Sequence, residues 1–129
     1  MLQAFPDAEI SVAIVWIDIL GGDNREEATK ATERFIDDPR GEIFYDQKRV
    51  TGESFMKSVP ELDEGQILAW DIYMFYGADA EWAGESPPPP DTHMYQLGGD
   101  QGKLPRNIRG EKLVEALRAT VEDIAPTAP

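Results

Sequence analysis

The feature that most constrains the fold is a nearly unbroken apolar run over residues 10–20, which leads directly into GGDN and a helix-patterned segment. Apolar residues occupy both odd and even positions of this run, which is typical of a strand covered on both faces. Capping-box spacing at Asp23 and Glu26, followed by an apolar stripe, predicts a helix over 24–37. A strand, turn and helix in this order bring glycine backbone and a helix N-terminus to one edge of a sheet, where binding sites are often built.

The rest of the chain alternates further strand and helix patterns. Only a helix separates the first two strands, so we expect them to form a right-handed parallel crossover. Four consecutive prolines cannot donate to a strand ladder, so residues 77–91 are predicted to be an extended hairpin excursion, and 125–129 a frayed tail. The remaining predicted elements are strands over 42–46, 67–76 and 92–97 and helices over 51–59 and 111–124.

Length and composition limit the possible functions. A chain of 129 residues predicts one domain over 1–129 with its core at about 10–124. With 25 acidic and 12 basic residues the net charge is −13, which repels phosphates and anionic lipids, so neither nucleic acid nor a membrane is expected as a partner. The absence of cysteine excludes disulfides, thiolate metal sites and dithiol chemistry. Because no apolar run reaches membrane-spanning length and MLQAFPDAE lacks a signal-peptide pattern, we expect a cytoplasmic protein.

The order β-α-β-α-β-β-α over residues 10–124 resembles the core of the thioredoxin-like superfamily. That family carries its CxxC motif where GGDN stands here, and a cis-proline opens its closing hairpin where Ala69 stands in AWDIYMFYG. The resemblance implies an α/β fold with one four-stranded mixed sheet of order 2-1-3-4 and about three flanking helices. Because both the CxxC and the cis-proline are missing, it implies a non-redox member that keeps the scaffold without disulfide exchange.

The same resemblance implies a pocket. In that fold the third strand runs antiparallel to the first, so its beginning lies beside the end of the first strand, and the end of the second strand is nearby. The candidate ligand-binding residues are therefore Asp18, Gly21, Gly22, Asp23, Asn24, Asp46, Trp70 and Asp71.

Each of these residues also has a structural interpretation. Asp18 and Asp71 are each the only charge in an apolar strand, so each is either a general base or metal ligand, or a structural acceptor of hydrogen bonds. With Asp46 they would offer oxygens to Mg²⁺ or Ca²⁺, but no metal-binding spacing supports this, and we expect neither a metal nor another cofactor. The GGDN turn matches no nucleotide-binding motif, and helix capping by Asp23 and Asn24 is favoured.

A second candidate region lies in the proline-rich segment. Polyproline segments dock into aromatic grooves of other proteins. The candidate partner-binding residues are Trp82, Pro87, Pro88, Pro89 and Pro90. In the alternative interpretation, Trp82 folds back and covers the hairpin. Catalysis by the lone histidine, His93, with Ser54 or Ser58 has no support from a nucleophile-elbow motif. His93 is therefore expected to be a half-buried strand residue.

The sequence thus favours a non-redox binding or interaction protein, with a protein partner or a second copy of the chain as its partner. The alternative is a small enzyme that uses carboxylate acid–base or divalent-cation chemistry at the Asp-rich pocket. A third interpretation is an accessory subunit that contacts a larger protein through its prolines.

Overall fold

The computed structural model describes residues 2–35 and 37–125. In chain order the elements are β1 Val12–Ile17, α1 Arg25–Phe35, β2 Gly41–Asp46, α2 Val50–Met56, α3 Pro60–Gly65, β3 Ile72–Phe75, β4 Thr92–Tyr95 and α4 Glu111–Ile124. Short 3₁₀ turns lie at Leu2–Ala4 and Gly99–Lys103. Contacts divide the chain into a first unit of residues 1–49 with 118–129 and a second unit of residues 50–117.

In the first unit, β1 and β2 pair in parallel, as predicted, with a register that runs from Val12 opposite Gly41 to Ile17 opposite Asp46. Helix α1 makes the connection and buries its small apolar residues Ala28 and Ala31. A short β-α-β unit of this kind is the minimal way to make two strands parallel, because a hairpin cannot do so.

The second unit combines two short helices with an antiparallel strand pair. Strands β3 and β4 are paired from Ile72 opposite Tyr95 to Phe75 opposite Thr92. The predicted helix over 51–59 is two helices in the structure, because α2 ends at Met56 and Pro60 begins α3. Proline is favoured in the first turn of a helix, where its missing N–H would have no intrahelical acceptor. The core of this unit consists of Val59, Leu62, Ala69, Tyr95 and Leu97.

The prediction of one four-stranded mixed sheet of order 2-1-3-4 is wrong. The structure has two sheets of two strands each, one parallel (β1–β2) and one antiparallel (β3–β4), with four helices in the part of the chain that it describes. The apolar run over 67–76 is a strand only from Ile72 onward. The first part of the run bonds to the two preceding helices and not to a strand. Ile67 N–H donates to Leu62 O of α3 at 2.8 Å, and Ala69 N–H donates to Gly52 O of α2 at 3.2 Å. The positive φ of Asp71, 46°, then breaks the extended backbone.

The ends of the chain's helices differ slightly from the predictions. Helix α1 ends at Phe35 rather than 37, and residue 36 lies outside the described residues. Helix α4 has the predicted bounds, although Ile124 is exposed and Ala125 is buried in its place. The predicted frayed tail falls mostly on 126–129, outside the described residues. The prediction of a single domain stays a prediction.

Candidate functional site

The carboxyl ends of β1 and β2 hold the first six candidate pocket residues in one unit. Asp18 N–H donates to Asp46 O at 3.2 Å, which extends the strand pairing by one residue and brings the backbones of these two aspartates together. The turn that carries Gly21, Gly22, Asp23 and Asn24 follows directly. These residues therefore lie at the carboxyl end of one sheet, with the Asp46 side chain on the face of Phe44 and the Asp18 carboxylate near Tyr45 on the other face.

The side chains of Asp23 and Asn24 accept hydrogen bonds from backbone N–H groups. The Asp23 carboxylate accepts Ile19 N–H at 3.0 Å and Leu20 N–H at 2.6 Å. Asn24 Oδ1 accepts Glu27 N–H at 3.0 Å and so caps α1, one residue later than the capping box predicted from Asp23. Both side chains thus hold the turn in shape, which supports the structural interpretation of these two positions.

The glycines of this turn lie on open surface. Asp23 N–H donates to Leu20 O at 2.9 Å, so Gly21 and Gly22 are the central residues of a turn. A methyl group added at either glycine would meet no atom within 4 Å, and neither has a positive φ. Leu20 beside them is 58% exposed, so the tip of the turn presents an apolar side chain to solvent.

Charged groups of both signs surround Tyr45 in the same region. The Arg25 guanidinium lies 5.5 Å from the centre of the Tyr45 ring, within the range of a cation–π contact. Partial burial raises the pKa of the Tyr45 hydroxyl, and the carboxylate of Asp18 raises it further. Arg49 Nε donates to Asp18 O at 2.5 Å and holds the backbone at the end of β1. The hydroxyl of Tyr45 is therefore a hydrogen-bond donor at neutral pH.

Trp70 and Asp71, the remaining pocket candidates, belong to the second unit. Trp70 packs against the apolar core of that unit, and Asp71 O accepts Gln96 N–H at 2.9 Å at the start of the β3–β4 pair. Their inclusion in the pocket depended on a β1–β3 pairing, which the two separate sheets do not contain. Among the described residues, no group of three or more His, Asp or Glu side chains could hold a metal ion.

The proline-rich candidates are partly built into the second unit. Pro87 is buried, and Pro88 O accepts the Tyr76 hydroxyl at 3.3 Å. Trp82 stands edge-on to Phe55 with ring centres 5.5 Å apart, and its Nε1 donates to Gly84 O at 2.7 Å. Trp82 nevertheless remains 52% exposed. It therefore folds back onto the unit with one edge and leaves much of its surface in water, so both interpretations of this residue stand.

A partly buried polar cluster in the second unit was missed by sequence reasoning. His93 Nε2 lies 2.8 Å from Glu61 Oε1, and the Tyr95 hydroxyl donates to the same oxygen at 3.1 Å. Burial raises the pKa of Glu61, but hydrogen bonds from its own backbone, His93 and Tyr95 outweigh burial and leave the pKa below 4.5. Burial also raises the pKa of Tyr95. Glu61 lies 32 residues from His93 in sequence, and only the alternation of His93 and Tyr95 on one strand face hinted at the cluster.

An imidazole bound to a carboxylate can accept and return a proton. Ser58, one of the serines considered as a nucleophile, instead donates to Phe55 O at 2.8 Å. His93 is a partly buried residue of β4, as predicted, and 10% of its side chain is exposed. The hydrogen bonds of Glu61 to His93 and Tyr95 join α3 to β4.

One sheet face of the first unit carries apolar residues with little cover. The register places Ala13, Val15 and Ile17 of β1 on the same face as Phe44 of β2. Ala13 is exposed, Val15 and Ile17 are half-buried, and Phe44 is 49% exposed. Glu42 and Asp46 stand on either side of Phe44 on this face. We call this set of six residues the Phe44 face. The apolar run predicted that both faces of β1 are covered, but the Phe44 face is partly exposed.

None of the helices in the described residues is sufficiently long and apolar to cross a membrane. Comparisons of the chain with models of protein families, with curated proteins and with solved structures found no match. The resemblance to the thioredoxin-like superfamily therefore stays a prediction.

Proposed function

We propose that the chain is a non-redox binding protein that holds a protein partner on the Phe44 face of its first unit. The observation that carries this proposal is the exposure of Phe44 on a two-stranded parallel sheet. Parallel sheets are normally covered on both faces, and a two-stranded sheet by itself is marginally stable in water. A partner that covers the face would supply the missing apolar contacts.

The charge of the chain indicates the chemistry of that partner. Glu42 and Asp46 flank Phe44, and the whole chain carries a net charge of −13. Opposite charges steer association, whereas like charges on two copies of the same chain oppose it. We therefore propose a segment with an apolar centre and basic residues on both sides, rather than a second copy.

The test uses a short synthetic peptide with three central valines and two lysines on each side of them (the lysine–valine peptide), with binding measured by isothermal titration calorimetry. The wild type is expected to bind it, and Phe44→Ser is expected to weaken binding on the order of tenfold, because burial of a Phe side chain contributes about 1.5–3 kcal/mol. The matched control is Val114→Ser, since Val114 is also an exposed apolar residue, 60% accessible, but lies on α4. The same peptide with glutamate in place of each lysine should not bind. Equal weakening by both substitutions, or no binding by the wild type, would contradict the proposal.

A further inference from the structure

The outer edge of β1 has backbone groups with no hydrogen-bond partner among the residues that the structure describes. Val12 N–H donates to Arg40 O at 2.8 Å and Asp18 N–H to Asp46 O at 3.2 Å, so the residues of even number face β2. In a parallel pair the alternate residues direct their N–H and C=O groups to the opposite side. Those residues are Ala13, Val15 and Ile17. Within the described ranges, 2–35 and 37–125, β2 is the only strand neighbour of β1, and no hydrogen bond to these backbone groups is found.

This edge lacks the usual protection. Exposed edge strands generally carry charged residues, proline or a bulge that prevents another strand from pairing with them. Val12–Ile17 reads VAIVWI and has neither charge nor proline. By contrast, β2 contains Glu42 and Asp46, and the Arg25 guanidinium lies over its Tyr45 ring. Of the two strands of the first unit, β1 is therefore the one whose sequence lacks these protective residues.

We propose that the partner pairs as an extended strand with the outer edge of β1 and adds a third strand to the sheet. This inference rests on the proposed function, because it specifies how the same partner binds. The added strand would give hydrogen-bond partners to Ala13, Val15 and Ile17, as in other cases of strand addition. Its side chains on one side would continue the Phe44 face, where valine side chains meet apolar residues. Its lysine side chains on that side, before and after the valines, would lie on the same face as Glu42 and Asp46.

The occupant is a partner of basic character, because the charges on this face are acidic. Pairing of VAIVWI with the same strand of a second copy would satisfy the backbone equally well. It would also bring two chains of net charge −13 together. A lysine-bearing strand satisfies the same backbone groups with attraction in place of repulsion.

The first experiment compares the lysine–valine peptide with a version that is N-methylated at its central amides. N-methylation leaves the side chains and the net charge unchanged but removes the backbone donors. We expect the wild type to bind the parent peptide at least tenfold more tightly than the methylated one. Equal binding of both peptides, with loss of both in Phe44→Ser, would overturn strand addition and leave the proposed function standing. Binding of neither peptide would overturn the proposed function.

The second experiment alters the protein. Ala13→Pro removes an N–H that faces away from β2, so the β1–β2 ladder is kept, and the control Ala13→Val retains the N–H. Circular dichroism and the thermal midpoint establish that both variants are folded. We expect Ala13→Pro to bind the parent peptide about tenfold more weakly than Ala13→Val does, because only the valine variant keeps the N–H. Equal affinities of the two variants would overturn the inference. So would a wild-type dimer in light scattering that Ala13→Pro converts to monomer, because the edge would then be occupied by a second copy.

Discussion

Arg40 is the residue that fixes the start of the chain to the first unit. Its Nη1 donates to Phe5 O at 2.7 Å and Ala8 O at 3.1 Å, and its Nη2 donates to Leu2 O at 3.0 Å. Asp38 accepts from Nε at 2.9 Å and from Nη2 at 2.7 Å, which orients the guanidinium. A planar group with five donors can satisfy all these acceptors together, which an ammonium group cannot.

This arrangement predicts the titration of Asp38. Side-chain hydrogen bonds from Arg40 lower the pKa of Asp38 from 3.8 to about 2. Since the folded value lies below the unfolded one, the pair stabilises the protein fully above pH 3.8, and the stabilisation is lost as the pH falls through about 2. In the Arg40→Gln variant the pKa of Asp38 should rise from about 2 toward 3.8, because only the backbone N–H of residue 40 still donates to this carboxylate; carboxyl NMR measures the change. Arg118→Gln is the control, and an Asp38 pKa that is the same in all three proteins would contradict the prediction.

Glu61 is expected to make the second unit sensitive to acid. Its pKa in the folded protein lies below 4.5, so the stability it contributes is complete above pH 4.5 and declines as the pH falls through the folded value. Glu61→Gln should lower the free energy of unfolding at pH 7 by about 1–3 kcal/mol, because it weakens hydrogen bonds to a charged group. It should also flatten the dependence of stability on pH below 4.5. Urea unfolding at several pH values measures both effects, with Glu64→Gln on the same helix as control. An equal pH dependence in the wild type and Glu61→Gln would exclude this role.

At the scale of the elements, Gly52 sets how closely α2 approaches the chain that follows α3. A Cβ at this position would lie 3.0 Å from Leu68 Cδ1 and 3.2 Å from Ala69 O. Alanine would gain helix propensity, but the backbone carbonyl of Ala69 cannot move away cheaply. We therefore expect Gly52→Ala to destabilise the protein by about 1–3 kcal/mol in urea unfolding. Gly84→Ala meets no atom within 4 Å and should have little effect; an increase in stability for Gly52→Ala would show that Leu68 and Ala69 adjust.

The elements also show which features the sequence could predict. The apolar runs and the proline and glycine breaks located β1, β2, β4 and α4, because these depend on local patterns. The pairing of strands depends on residues far apart in sequence, so an apolar run identified β3 without identifying its partners. The same limit applies to the site: Asp18, Asp23 and Asp46 come together because a β-α-β unit is nearly local. Glu61 and His93 meet only through the packing of the second unit.

At the scale of the whole molecule, the dominant property is the excess of acidic residues. The chain carries 25 acidic and 12 basic residues, and its described ion pairs are few and mostly exposed. Exposed pairs contribute little to stability, so they do not offset the repulsion among the remaining carboxylates. That repulsion is larger in the compact state than in the expanded unfolded chain, and it opposes folding.

Salt should therefore stabilise this protein. Raising the NaCl concentration from about 0.01 M to about 0.1 M shortens the Debye length from about 30 Å to about 10 Å and screens the repulsion between distant carboxylates. We expect the thermal midpoint to rise by about 4 °C, which corresponds to a gain in stability of about 1 kcal/mol for a chain of this size. Differential scanning calorimetry at pH 7 measures the shift, and sucrose at equal osmolality controls for effects of solute that do not depend on charge. A midpoint that is constant or falls with NaCl would mean that local attractions, such as those of Arg25 and Arg40, outweigh the net charge of −13.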